Sequence, residues 1–86
     1  MSLHLLRRRI DRVDARLLAL LNQRAGLAVR VGRLKQRSGT RSFDPARERA
    51  ILRRMADANG GPLSREAVRT VYREILRQSR RVEQSV

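Results

Sequence analysis

Two cations in this 86-residue chain stand where a helix would be expected to place apolar side chains. Arg24 and Lys35 belong to the stretch LLNQRAGLAVRVGRLK, residues 20 to 35. At about 100° per residue, Leu6, Ile10, Val13, Leu17, Leu20, Leu21, Ala28 and Val31 gather on one helical face within an arc of about 100°. Arg24 and Lys35 fall near the middle of that arc. Arg8, Arg12, Arg16, Arg30 and Arg33 fall outside it, and Arg7 sits at its edge, one turn before Ile10. An unpaired buried cation is costly, so the fold must supply an anion or a path to water. Snorkelling at a helix end suits Lys35 but not Arg24, which is in mid-helix. A salt bridge to a carboxylate on another helix, Glu48 or Glu83, suits either. The functional alternative is a pocket inside a helical bundle, lined by cations and made for an anionic ligand.

Other segments carry groups that fit the same pocket. Arg47 and Glu48 lie one turn before Ile51 and Leu52, at the inner edge of a helix start. Asp44 at the cap and the free backbone N–H groups of that first turn add further polar atoms. Ser79 and Glu83 prolong the apolar stripe of the last segment with hydrogen-bonding groups. Taken singly, these are ordinary first-turn charges, a small packing residue and a fraying end. Together they describe a basic pocket with one or two carboxylates.

The elements that must position these groups are helical. No segment shows the two-residue alternation of a strand. A proline-free first helix is predicted from about residue 3 to 36, with Gly26 and Gly32 as its only weak helix formers. Such a helix is roughly 50 Å long, and the remaining fifty or so residues cannot cover its stripe. The expectation is therefore one all-α domain over residues 1–86, with three helices per chain in an intertwined homodimer. After a loop, Ser38-Gly39-Thr40-Arg41-Ser42-Phe43, the pair Asp44-Pro45 reads as an N-cap and first helical residue. The second helix then runs to about 58 with Ile51, Leu52 and Met55 inward. Asn59-Gly60-Gly61-Pro62 ends it, with glycine supplying the left-handed cap. Ser64 caps a third helix over about 64–83, whose stripe is Val68, Val71, Tyr72, Ile75 and Leu76.

The formal net charge of +13 suggests an anionic partner, either nucleic acid or a small polyanion. The chain has no cysteine and one histidine, His4, so a thiolate nucleophile, a disulfide framework or a metal site is not expected. No apolar run approaches a membrane span or a signal sequence, which predicts a cytoplasmic protein without membrane contact. Phe43 and Tyr72 are the only aromatics, leaving no platform for stacking bases. The basic residues also ring the helices rather than forming one stripe, so specific nucleic-acid binding is the weaker reading.

Several segments together carry a family resemblance: LRRRIDRVDARLLALLNQR, Lys35, DPARERAIL and PLSREAVRTVYREILRQS. The chain closely resembles the all-helical class of chorismate mutases, including domains fused to prephenate dehydratase or dehydrogenase. The resemblance implies an intertwined dimer with two sites and no cofactor or metal. It implies the Claisen rearrangement of chorismate to prephenate, on the route to phenylalanine and tyrosine. Matched by position, Arg7 looks like the arginine donated across the dimer, and Arg24 like the one binding a substrate carboxylate within the chain. Lys35 resembles the lysine that contacts a carboxylate and the ether oxygen. Asp44, Arg47 and Glu48 match the segment around the substrate hydroxyl, with Glu48 its acceptor and Asp44 acting mainly through its backbone. Ser79 corresponds to a serine near the ring carboxylate, and Glu83 to a Gln or Glu that hydrogen-bonds the ether oxygen. As a glutamate, Glu83 must be protonated to donate, so activity should decline as pH rises.

Relatives on the same fold act on isochorismate, as a pyruvate lyase, or on 4-amino-4-deoxychorismate. The hydroxyl-side contacts of Glu48 favour ordinary chorismate. A chain ending three residues after Glu83 leads to the expectation of no fused catalytic or regulatory domain. Activation by a partner synthase is compatible with the same residues.

Overall fold

The computed structural model describes residues 2–40 and 43–86. It contains three α-helices and, among the described residues, no strand: α1 (Leu3–Ser38), α2 (Pro45–Ala58) and α3 (Arg65–Gln84). The all-helical expectation is met. No helix is long and apolar enough to cross a membrane, among the residues described.

Local hydrogen bonding sets most of the helix boundaries. Ser2 opens α1 by accepting the Leu5 N–H at 3.1 Å. Gly39, at φ 72°, closes it in the left-handed conformation that a side chain disfavours. The Lys35 carbonyl then accepts the N–H groups of both Gly39 and Thr40. Ser38, expected in the loop, is thus the last helical residue, while Arg41 and Ser42 of that loop lie outside the described residues. Asp44 caps α2 by accepting the Arg47 N–H at 3.0 Å, with Pro45 in the first turn. Ser64 caps α3 through the Ala67 N–H, also at 3.0 Å.

The end of α2 departs from expectation. Its cap is Asn59 in extended conformation (φ −67°, ψ 122°), not a left-handed glycine. The Asn59 amide donates to the Leu63 carbonyl at 2.7 Å and accepts the Gly61 N–H at 3.0 Å. An asparagine side chain can tie a turn through its own backbone neighbours. The positive φ falls later, at Gly61 (78°), just before a cis Gly61–Pro62 peptide.

The molecule measures 55 × 24 × 15 Å, its length set by α1. α3 packs against both α1 and α2, which do not pack against each other. The core is small and lies at the C-terminal half of α1. Ala28, Ile51, Ala56, Val68 and Leu76 are buried, with Leu52, Met55, Tyr72 and Ile75 half-buried around them. Val71, expected inward, is exposed. Gly32 is buried where α3 crosses α1. A Cβ there would lie 2.5 Å from the Glu83 carbonyl oxygen and 2.9 Å from Glu83 Cα. The missing side chain is therefore what lets the end of α3 close onto α1.

The N-terminal half of α1 has no such cover. Leu3, Leu5, Leu6, Ile10, Val13, Leu17, Leu18 and Leu20 are each at least 43 % exposed. The stripe is present, as its spacing predicts, and no described residue of the chain covers it.

On the outer face of α3, Glu74 accepts two hydrogen bonds from Arg77, at 2.7 and 2.9 Å, and one from Gln78 at 2.9 Å. The Arg77 hydrogen bonds first, then that of Gln78, hold its carboxyl down at about 2. The Arg77 guanidinium is raised in turn by Glu74.

Candidate active site

A cleft of about 240 Å³ opens between the three helices. Each wall is one helix face read at helical spacing. α1 contributes Arg24, Leu27, Ala28, Val31 and Lys35; α2 and its cap contribute Asp44, Arg47, Glu48 and Ile51; α3 contributes Leu76, Ser79, Arg80 and Glu83. Arg24, Lys35, Asp44, Arg47, Glu48, Ser79 and Glu83, singled out from the sequence, thus line one space.

Polar atoms inside are tied across helices. Arg24 Nη1 donates a short hydrogen bond to Ser79 Oγ, linking α1 to α3. The arginine is only half-buried. Arg24 therefore takes neither of the bland alternatives open to it: it does not snorkel at a helix end, and its cross-helix partner is a neutral hydroxyl. Lys35 does take one. Its Nζ stands 3.4 Å from Glu83 Oε1, with side chains 24 % and 12 % exposed. That Glu83 oxygen is buried and, among the described residues, accepts no hydrogen bond. An ion pair without a hydrogen bond leaves the acceptor's lone pairs available in the cleft.

On the α2 side, Glu48 Oε1 accepts from Arg80 Nη1 at 2.5 Å. The Phe43 ring, in the segment leading into α2, lies 4.7 Å from the Arg80 guanidinium carbon. Asp44 spends a carboxylate oxygen on the Arg47 N–H, so its charge is partly committed to the α2 N-terminus. Arg47 is exposed at the rim.

Arg80 lines the cleft as well, although the sequence reading did not single it out. It follows Leu76 by four and precedes Glu83 by three, so it shares their face. That signal was present, but hidden in a run of surface-like arginines. Counting it, four cations and three carboxylates among the described residues line the cleft, an arrangement suited to an anionic ligand. Among the described residues, no cluster of His, Cys, Asp and Glu could hold a metal ion.

Arg7 is not part of this cleft. It lies on the exposed N-terminal half of α1, seventeen residues from Arg24, a span of about 26 Å along a helix. One chain cannot bring it to its own site.

Comparison with known proteins gives a consistent answer. Residues 6–84 match the model of the chorismate mutase type II family. The bifunctional chorismate mutase/prephenate dehydratase of Neisseria gonorrhoeae is 43 % identical over 77 residues, covering 90 % of this chain and 21 % of that protein. The protein of the same name from Aquifex aeolicus is 41 % identical over 75 residues, covering 83 % and 21 %. This chain thus spans about a fifth of the length of those relatives. The Form II structure of chorismate mutase from Thermus thermophilus superposes with a TM-score of 0.92 at 34 % identity, over 94 % of this chain and 92 % of that one. With its three helices, its cation-lined cleft and a match over nearly its whole length, the chain belongs to the type II chorismate mutase family.

Proposed function

We propose that this chain catalyses the Claisen rearrangement of chorismate to prephenate, in the cytoplasm, as a step of phenylalanine and tyrosine synthesis. The observation that carries the reading is the cleft itself, where three helices gather seven expected polar residues around an apolar floor. The rearrangement is unimolecular: a C–O ether bond breaks while a C–C bond forms. It needs a dianion held in its compact conformer and stabilisation of the charge growing on the ether oxygen. Arg24, held by Ser79, binds one substrate carboxylate, with Ser79 near the ring carboxylate. Lys35 and Glu83, 3.4 Å apart on facing helices, bracket the ether oxygen. Lys35 supplies preorganised positive charge there, and Glu83 donates when protonated. Glu48 accepts from the substrate hydroxyl, beside Asp44 and Arg47.

The working unit is a homodimer. Its support is the uncovered stripe on the N-terminal half of α1, which at about 25 cal/mol per Å² of apolar area gives a second copy a strong reason to bind. In that dimer Arg7 of each chain completes the other's cleft.

The test is to follow chorismate absorbance with purified protein, with isochorismate as parallel substrate. Prephenate formed from chorismate supports the reading; pyruvate released from isochorismate alone would replace it with the lyase. Arg24→Ala should lose at least about 10²-fold in kcat/KM while remaining a helical dimer.

A further inference from the structure

We propose that Arg80 determines specificity, making the cleft accept a hydroxyl and reject an ammonium at the substrate position facing Glu48. The inference rests on reading the cleft as a chorismate site, with Glu48 at the hydroxyl. A lone carboxylate at that place would attract an ammonium group more strongly than a hydroxyl. It would offer a full opposite charge and a charge-assisted hydrogen bond.

In this chain Glu48 is not alone. Arg80 reaches across from α3 and donates to Oε1 at 2.5 Å, with side chains only 29 % and 20 % exposed. The carboxylate's charge is thereby matched before any ligand arrives. A neutral hydroxyl can still donate to the second oxygen, Oε2. An ammonium at the same place would meet a matched carboxylate and a guanidinium of its own sign. Discrimination would then come from a repulsive element as much as from an attractive one.

Phe43 keeps that element in position. Its ring lies against the Arg80 guanidinium at 4.7 Å, so the long side chain is held over Glu48 rather than free to swing into solvent. The two other carboxylates among the described cleft residues are also engaged. One Asp44 oxygen accepts the Arg47 N–H at the α2 N-terminus, and Glu83 is paired with Lys35.

The test compares kcat/KM for chorismate and for 4-amino-4-deoxychorismate, in which an amine replaces that hydroxyl. It uses the whole chain as wild type, Arg80→Gln, Arg80→Met and Arg80→Lys, at one ionic strength. The wild type should favour chorismate. Both charge-free variants should narrow the ratio by at least about tenfold, chiefly through a lower KM for the amino substrate, and Arg80→Lys should retain most of the preference. An Arg80 that only clamps α2 to α3 would lower both substrates alike. An unchanged ratio in Arg80→Gln and Arg80→Met, or a wild type that favours the amine, overturns the proposal. A wild type that neither converts nor binds either compound in calorimetry overturns the chorismate reading of the cleft, and the proposal with it.

Discussion

Replacing Gly32 with alanine isolates the close approach of α3 to α1. In isolation the change favours α1, because alanine is better than glycine in a helix interior by about 0.8–1 kcal/mol. In the folded chain the new Cβ would stand 2.5 Å from the Glu83 carbonyl oxygen and 2.9 Å from both Glu83 Cα and Val86 Cγ2. Ordinary contact begins near 3.4 Å, so the end of α3 must retreat by about 0.9 Å, the difference between 3.4 and 2.5. Two of the three obstructing atoms are backbone, so no rotamer change relieves them. Overpacking of this kind costs about 1–3 kcal/mol, which more than offsets the helix gain. The expected result is a net loss of up to about 2 kcal/mol. Activity should suffer more than stability. Glu83 moves with its backbone, away from Lys35, and a misplacement of about 1 Å can cost about 10²-fold in rate. The measurements are thermal unfolding by circular dichroism at fixed protein concentration and the loss of chorismate absorbance. Gly26→Ala is the control, since a Cβ there meets nothing within 4 Å in the chain, and it should not lower the melting temperature. A Gly32→Ala protein as stable and as active as wild type would refute the close-approach argument.

Further outcomes follow from the same geometry. Arg7→Ala and Lys35→Ala chains should each be nearly inactive, yet co-refolded in equal amounts they should recover about a quarter of wild-type activity. Half the dimers are then mixed, and each mixed dimer has one intact site of two; no recovery would mean that Arg7 does not serve the other chain. Glu83→Gln should flatten the pH profile of kcat, because an amide donates at any pH whereas a carboxyl must carry a proton; matching profiles would remove Glu83 as donor. Glu74 has its folded value depressed to about 2, so its stabilising contribution is present above the unfolded value near 4.5 and is lost as pH falls toward about 2. Glu74→Gln should therefore lower the melting temperature slightly at neutral pH and not at pH 2, with the difference shrinking in high salt because the group is exposed; a difference that grows toward low pH would contradict this.

Features whose cause is local could be read from the sequence. Asp44-Pro45 and Ser64 cap their helices through bonds three residues long, and a cap of that kind is legible wherever its residue types stand. Arg24 and Lys35 stood out because helical periodicity alone fixes their face. Their partners were harder to read. Lys35 meets Glu83 and Arg24 meets Ser79 only because α3 folds back over α1, and no spacing rule chooses among Glu48, Glu83 and a ligand. Asn59 ended α2 in place of a glycine because its side chain bonds forward to Gly61 and Leu63, a competition that composition does not decide. The close approach at Gly32 was invisible for the same reason. The part of a substrate that each cleft residue is proposed to meet rests on family resemblance rather than on the residues' own pattern.

The arrangement in which α1 and α2 meet only through α3 makes two sets of cleft contacts separable targets for redesign. Lys35, Glu83 and Gly32 are registered by the α1–α3 crossing, while Glu48, Arg80 and Phe43 are registered by α2 against α3. Altering the turn from Asn59 to Leu63 should shift the second set of contacts and leave the first in place. If the cleft is the proposed chorismate site, selectivity at the substrate hydroxyl could then be retuned apart from the contacts at the ether oxygen.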